Sequence, residues 1–210
     1  LFSINEFGYD RFHEEADQVF RILQRNDDPA YEWNRLSARV PAAEVNNWNS
    51  SDSVLLARVK ILKKVNLASE SKVLREQTLH AVDPQLTRVF SFNVLSGSEK
   101  DFEKDSSCAM ISSSIALSWF GTTQATGKSL ALFTSGDTLS VKVVAVFKDF
   151  PQNAHDNFSF LIRYDSARLK KIRFDLDAGV YGRTLIGQMP DSIFHSHKDF
   201  LSYKVQSLPE

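Results

Sequence analysis

The most suggestive chemistry in the sequence is a run that resembles a phosphate-binding loop. Residues 121–129 read GTTQATGKS. A P-loop has four residues between its first glycine and its Gly-Lys pair, whereas five residues separate Gly121 from Gly127. A P-loop also runs from a strand into a helix whose N-terminal amides hold the phosphate. Here the residues before Gly121 are helical in pattern and those after Lys128 are strand-like, so we predict a polar loop in which Gly127 opens the next strand.

Two histidines are spaced as metal ligands could be. His195 and His197 are one residue apart, so in a strand both imidazoles would point to the same side. Asp191 and Asp199 are the nearest carboxylates that could complete such a site, but no cysteine or third histidine lies near them in sequence. We therefore favour surface histidines over a metal centre.

His155, flanked by Asp149 and Asp156, has the composition of an acid–base cluster. Asp and Asn also stabilise turns by bonding to their own backbone, and Pro151–His155 has the composition of a turn. A role in stabilising this turn is the interpretation we favour over catalysis.

The serine and cysteine residues are not placed like nucleophiles. No G-x-S-x-G elbow surrounds Ser112, Ser113 and Ser114, and their position before a helical stripe predicts N-cap hydroxyls. Cys108 is the single cysteine, so it cannot form an intrachain disulfide. Because it lies in an apolar run, we predict a small core residue and not a reactive thiol.

The charge of the chain excludes a general attraction to nucleic acid. The formal net charge is -1, so no global positive field recruits polyanions. Lys170, Lys171 and Arg173 form a short basic run, for which a solvated helix face is the default and contact with an anionic lipid or partner is the alternative.

The segment from Cys108 to Phe120 predicts a strand followed by a helix. Cys108–Ile111 is apolar, and Ile111, Ile115 and Trp119 then recur every fourth residue, with Ala116 and Phe120 beside them. Gly121 stands where a left-handed C-cap would fall. We therefore expect Trp119 and Phe120 to be buried.

A hairpin is predicted next. Lys128–Phe133 and Leu139–Lys148 are rich in β-forming residues, and the turn-forming run Thr134–Asp137 joins them. Together with the helix before it, this hairpin would form a small unit with its own core.

The rest of the chain alternates between helical and strand patterns. With 210 residues, 42% of them apolar, the chain has enough material for one or two domains. Asp83 and Pro84 predict an N-cap and first helical residue. The mixture predicts an α+β fold. Further predicted elements are helices at Tyr9–Asp17, Tyr31–Val40 (ended by Pro41), Leu86–Phe90 and Asp165–Arg173, and strands at Val19–Leu23, Ser53–Leu62, Val73–Val82, Phe158–Tyr164 and Phe200–Val205.

No apolar run approaches the ~18 residues that a membrane span needs, and no signal peptide is evident. The chain starts at Leu1 instead of Met and ends on Leu208-Pro209-Glu210. We therefore expect it to be a piece of a longer protein.

Several short motifs follow one another in a fixed order. They are YDRFHEEAD and VFRI at 9–17 and 19–22, VDP, VFSF and LSG between 82 and 97, IS, WFG, GKSL and VFKD between 111 and 149, PQNAH at 151–155, and QSL at 206–208. In this order they resemble the MacB-like periplasmic core domain of FtsX-like ABC transporter permeases. Ala154 and Ser207 depart from the family pattern, which has Ser and Pro there. The regions 26–71 and 165–199 match it poorly.

The resemblance implies a domain held between the first and second transmembrane helices of a permease, with two lobes. A porter-like α/β lobe would comprise residues 1–97 and 158–210, and a smaller, mostly-β inserted lobe, often called the sabre, would comprise residues 98–157. Packed membrane helices lie roughly 8–10 Å apart. The two ends of the domain, at Glu6 and Leu208, should then lie on the same face of the fold, within roughly 20 Å of each other.

The resemblance also implies a function without catalysis, cofactor or metal. The domain would lie on the periplasmic side of the bacterial inner membrane and couple ATP hydrolysis by a separate cytoplasmic subunit to export, extraction or signalling. A periplasmic partner protein, a peptide or lipoprotein substrate and a second permease would be its further partners. The alternatives are a free-standing secreted binding module and a secreted hydrolase that uses His155 or the serines at 112–114.

Overall fold

The computed structural model describes residues 16–26, 35–37, 40–41, 54–69, 72–133, 138–151, 154, 157–164, 177–184 and 201–207. Strands dominate this part of the chain, and helices are few and short, so the fold is α+β as the sequence predicts. The strands are β1 (Val19–Asn26), β2 (Arg35–Ser37), β3 (Val40–Pro41), β4 (Val54–Ala68), β5 (Val73–Val82), β6 (Val94–Gly97), β7 (Cys108–Ser112), β8 (Ser129–Phe133), β9 (Thr138–Phe147), β10 (Phe160–Arg163), β11 (Asp177–Thr184) and β12 (Leu201–Ser207). The helices are α1 (Leu86–Val89), α2 (Glu99–Lys104) and α3 (Ser113–Phe120), and a 3₁₀ turn at Ala16–Gln18 precedes β1.

One mixed sheet contains all of these strands. Its order is β12-β1-β11-β4-β5-β10-β7-β9-β6, with β2 paired to β1 and β3 paired to β11. β8 pairs with both β9 and the far end of β4. The strands β4, β5, β10, β7, β9 and β8 therefore close into a ring, from which β11, β1 and β12 extend as an open sheet.

The ring encloses one hydrophobic core, and a second core lies outside it. Alternate residues of β7 serve the two cores, since Ala109 and Ile111 face the ring interior and Cys108 and Met110 face the outer core. All five residues of β7 are buried for this reason. The outer core is covered by α1 and α2, which contribute Leu86, Val89 and Phe102 to it.

Helix α3 has the caps that the sequence predicts. The Ser112 hydroxyl accepts a hydrogen bond from the amide of Ile115 at 3.5 Å. Gly121 ends the helix in the left-handed conformation, with φ of 69°, and its amide donates to the carbonyl of Leu117 at 2.9 Å. Trp119 is buried as expected, whereas Phe120 is only partly buried and packs against the ring core.

The helix predicted at Tyr31–Val40 is wrong where the structure describes it. Arg35–Ser37 forms β2, which pairs with β1, and Val40–Pro41 forms β3, which pairs with β11. Pairing with β1, which is near in sequence, and with β11, which is distant, overrides the helical spacing, which is a weak preference.

The predicted N-cap at Asp83 is also wrong. Gln85 occupies the cap position of α1 without a side-chain hydrogen bond. The Asp83 carboxylate instead accepts from the Arg58 side chain, at 2.7 Å from Nε and 2.8 Å from Nη2. The Asp83 side chain, which the local pattern predicts to cap the helix, therefore forms a long-range ion pair instead.

Strand β11 lies in a segment for which the sequence shows no clear period. Gly182 faces Phe20, and a Cβ atom at this position would lie 2.3 Å from the Phe20 ring. The glycine is needed because the fully buried Phe20 ring packs directly over it. A strand that carries such glycines lacks the apolar alternation by which strands are predicted.

Several predictions concern residues outside the described part of the chain. They are the first residues of the Tyr9–Asp17 helix, the Thr134–Asp137 turn, His155 and Asp156, the Asp165–Arg173 helix with its basic run, His195 and His197, and the positions of Glu6 and Leu208. The division into two lobes stays a prediction, and the ring combines strands from both predicted lobes. Within the described residues no helix has the length and apolar character to cross a membrane.

Candidate functional site

A groove of about 500 Å³ lies where β6 begins and β9 ends. Ser91, Phe92 and Asn93 line one side, and Lys148–Pro151 lines the other. We call it the Phe92–Phe150 groove. Five of its seven described lining residues belong to segments that carry the family resemblance: VFSF, VFKD and the start of PQNAH.

The floor of the groove is aromatic and well supported. Phe92 and Phe150 are 9% and 8% exposed, and their ring centroids lie 5.3 Å apart. Phe147 lies 5.1 Å from Phe92, and Phe158 lies 5.7 Å from Phe150, in edge-on arrangements. Such contacts add to the stability that burial gives, so the floor is a fixed surface.

One backbone hydrogen bond joins the two sides of the groove, and a second lies within one side. The amide of Lys148 donates to the carbonyl of Asn93 at 2.8 Å, and the amide of Ala154 donates to the carbonyl of Pro151 at 3.0 Å. The second bond closes a turn at the rim, in agreement with the turn predicted there.

Asp149 is anchored to the start of α3. The hydroxyls of Ser113 and Ser114 both donate to its carboxylate, and the amide of Ser114 donates to Oδ2 at 3.0 Å. Burial alone would raise the pKa of Asp149, but these hydrogen bonds outweigh it and lower the pKa. The carboxylate is a structural group that fixes the groove wall to the helix.

We expect Asp149→Ala to destabilise the protein by about 1 kcal/mol at pH 7, the usual cost of a lost cap. Because the folded-state pKa is lowered, the carboxylate stabilises the fold above its unfolded-state pKa, and this contribution is lost as the pH falls through the lowered folded-state pKa. Urea unfolding between pH 7 and pH ~3 should show the difference from wild type shrinking as the pH falls below the unfolded-state pKa. A difference that is independent of pH would contradict this role for the charge.

The rim of the groove presents two polar side chains that are free to bind. Lys148 and Asn93 are exposed, and no other described residue forms a hydrogen bond or ion pair with either side chain. The described lining of the groove thus offers an apolar floor, one cation, one amide and the hydrogen-bonded carboxylate of Asp149. This combination suits binding of a partly apolar segment, and it lacks a paired acid and base.

The serines and the cysteine have structural roles. Ser112 caps α3, and Ser113 and Ser114 bind Asp149. The Cys108 thiol donates to the carbonyl of Asp105 at 2.8 Å, and burial raises its pKa to about 12. Cys108 is a core residue, as the sequence predicts.

The run that resembles a P-loop is placed as predicted, after a helix and before a strand. The amide of Gly127 donates to the carbonyl of Val143 at 2.8 Å, and that of Lys128 donates to Ala125 at 3.2 Å. Both amides are committed within the protein, so they cannot hold a phosphate without breaking these bonds.

Metal-binding residues are not assembled in the part of the chain that the structure covers. No group of three or more His, Cys, Asp or Glu side chains there could hold an ion. His195 and His197, and His155 with Asp156, lie outside that part. The sequence could not reveal the Phe92–Phe150 groove, since its two sides are far apart in the chain and its phenylalanines look like ordinary core residues.

The model of one protein family, the MacB-like periplasmic core domain, matches residues 4–192. Among solved structures, the fold is similar to a domain of a protein classed as a permease from Porphyromonas gingivalis, with 16% identity, 93% of this chain and 92% of that chain covered, and a TM-score of 0.68. It is also similar to the periplasmic region of MacB from Actinobacillus actinomycetemcomitans, with 14% identity, coverage of 86% and 78%, and a TM-score of 0.56. No curated protein sequence matches the chain.

Proposed function

Because the chain belongs to the MacB-like periplasmic core domain family, we propose that it is a mechanical coupling and partner-docking module without catalytic activity. The family consists of periplasmic domains of inner-membrane ABC transporter permeases, which work with a cytoplasmic ATPase. In the proposed mechanism, ATP hydrolysis in that subunit moves this domain, and the movement drives export, extraction or signalling outside the inner membrane.

The family match over residues 4–192 carries the proposal, and the chemistry of the described residues supports it. The carboxylate of Asp149 is committed to hydrogen bonds, the Cys108 thiol is buried, and the loop amides at Gly127 and Lys128 are bonded. Each of these three described groups is thus committed to a structural contact.

The arrangement of the outermost strands also supports the proposal. Phe20, near the start of β1, is the pairing partner of Ser207, at the end of β12. The chain therefore enters and leaves the sheet at neighbouring points. This is the arrangement that a domain inserted between two adjacent membrane helices requires.

The protein should not bind ATP. Isothermal titration of the purified chain with Mg-ATP should give no heat of binding, because the loop at 121–129 follows a helix instead of opening one and the amides of Gly127 and Lys128 are bonded within the protein. Lys128→Ala should behave identically. Micromolar binding that disappears in Lys128→Ala would show a nucleotide site and contradict the assignment of ATP hydrolysis to a separate subunit.

Coupling is tested in the complete permease with its ATPase, reconstituted in nanodiscs. A dye on Lys128→Cys or, in a second variant, on Lys104→Cys would report energy transfer to labelled lipid head groups. Both lysines are exposed, and the buried Cys108 should not react with the dye. We expect the transfer efficiency to change when ATP is added and to stay constant with an inactive ATPase. Equal transfer in all nucleotide states would contradict coupling.

The same experiment separates the proposal from its alternative. The Phe92–Phe150 groove would also suit a free-standing secreted binding module, but such a module would not respond to ATP across a membrane. The transported substrate, the periplasmic partner and a permease dimer are further parts of the proposal that this experiment does not address.

A further inference from the structure

We propose that the Phe92–Phe150 groove and the outer edge of β6 together bind an extended segment of a periplasmic partner protein. The segment would add to the sheet beside β6 and insert a large apolar side chain, next to a carboxylate, into the groove. This inference rests on the proposed function, since it identifies the chemistry of the partner that the docking module recognises.

The first observation is the free edge of β6. β6 ends the order of the sheet and, among the described strands, pairs with β9 alone. Val94 is opposite Phe147, and the flanking bond runs from the amide of Lys148 to the carbonyl of Asn93. In an antiparallel pair this places Val94 at the non-hydrogen-bonded position, so its N–H and C=O point away from β9. These groups can pair with an added strand.

The second observation is that the exposed face of β6 continues into the groove. Asn93 and Leu95 are both exposed, and a register shift against β9 between Val94 and Ser96 places Leu95 at a bulge of the edge strand. Leu95 is 45% exposed, which is high for a large apolar side chain. An extended segment that pairs with β6 beside Val94 would pass Leu95 and reach the groove at Asn93.

The third observation is the charge at the rim. The ammonium group of Lys148 has no partner among the described residues, whereas the neighbouring carboxylate of Asp149 accepts three hydrogen bonds from Ser113 and Ser114. Asp149 keeps its negative charge, but its oxygens are occupied by these bonds, so Lys148 is the charged group of the lining that can pair with an incoming carboxylate beside the aromatic floor. A segment that carries a carboxylate next to its apolar side chain complements both features.

The size of the groove agrees with this occupant. A volume of about 500 Å³ falls within the roughly 300–1,000 Å³ of typical ligand pockets. It is enough for an aromatic or branched aliphatic side chain together with the polar group beside it.

The test is a titration of the ¹⁵N-labelled chain with the peptide acetyl-Thr-Val-Phe-Glu-Val-Thr-amide, followed by NMR. Concentrations up to about 5 mM would detect a dissociation constant on the order of 1 mM. We expect saturable shift changes at the amides of Asn93–Leu95 and Lys148–Phe150. Three comparison peptides have the phenylalanine replaced by alanine, the glutamate replaced by lysine, or alternate backbone nitrogens methylated. Each should bind about tenfold more weakly or not at all.

Substitutions in the protein test the same contacts as the changes in the peptide. Lys148→Glu should reverse the preference, so that the peptide with lysine binds better than the peptide with glutamate. Lys142→Glu makes the same charge change at an exposed position within β9, away from the groove lining, and should leave the preference unchanged. Leu95→Ala should weaken all peptides while leaving the groove itself intact.

Four outcomes would overturn the proposal. These are the absence of saturable shifts, shifts centred on another surface, equal binding of the N-methylated peptide, and shifts that dilution of the protein alone reproduces, which would indicate pairing between two copies of the chain. Equal binding of decanoate at these amides would point to an acyl chain and would also overturn it. None of these outcomes affects ATP-driven movement of the domain in nanodiscs, so failure here is distinct from failure of the coupling proposal.

Discussion

Replacing Trp119 with alanine should lower the free energy of unfolding by about 3–5 kcal/mol, the range for removing a buried aromatic side chain. The indole is 5% exposed and belongs to the core enclosed by the ring of strands. The change would leave a large void, and the strands around it are held by hydrogen bonds and cannot easily collapse. Urea unfolding monitored by circular dichroism measures the loss directly.

Two matched variants show that the effect arises from packing. Leu117 lies on the same helix but is 53% exposed, so Leu117→Ala should change the stability by no more than about 0.5 kcal/mol. The Trp119 indole nitrogen has no hydrogen-bond partner among the described residues, so Trp119→Phe should cost much less than Trp119→Ala. If Trp119→Ala unfolded like wild type but abolished transport in the full permease, Trp119 would be a binding residue.

The second large effect is expected from the ion pair between Arg58 and Asp83. Arg58→Met should destabilise the protein by about 3 kcal/mol, because it leaves a mostly buried carboxylate without its partner. The two side chains are only 18% and 13% exposed and form two charge-assisted hydrogen bonds. Arg58 also lies over the Tyr164 ring, 4.4 Å from its centroid, so the substitution removes a cation–π contact as well.

The double variant Arg58→Met/Asp83→Leu is the control for this interpretation. It removes both charges together, so it should recover a large part of the stability that Arg58→Met loses. Arg58→Lys keeps the charge but loses the planar fork that binds both carboxylate oxygens, and it should be intermediate. Thermal or urea unfolding of wild type, Arg58→Met, Asp83→Leu and the double variant gives the coupling energy. A coupling energy near zero would show that the pair does not contribute to the fold.

The elements that could be predicted from the sequence are those with a strong local pattern. Helix α3 has a serine N-cap, an apolar stripe and a glycine C-cap within a few residues, and β5 was predicted with its exact limits, Val73–Val82. The family resemblance, carried by short motifs in order, was confirmed by the match over residues 4–192.

What could not be predicted depends on pairing and contacts that the local sequence pattern does not encode. β2 and β3 are too short to show a period, and each exists only because it pairs with β1 or β11. Asp83 carries a good local signal for a cap, yet Arg58, 25 positions away, binds its side chain. The groove depends on the approach of residues 91–93 to 148–151, for which no local pattern exists.

The position of β1 has a consequence for the order in which the protein folds. Val19, Phe20 and Ile22 are almost completely buried, but the strands that flank β1 in the sheet, β11 and β12, come at the far end of the chain. At about 5–20 residues per second, the ribosome needs on the order of ten seconds to make them. The ring strands are synthesised earlier, because the last of them in chain order, β10, ends at Arg163. Such non-local pairing folds slowly, so the apolar first strand must be kept from aggregating until the last strand arrives.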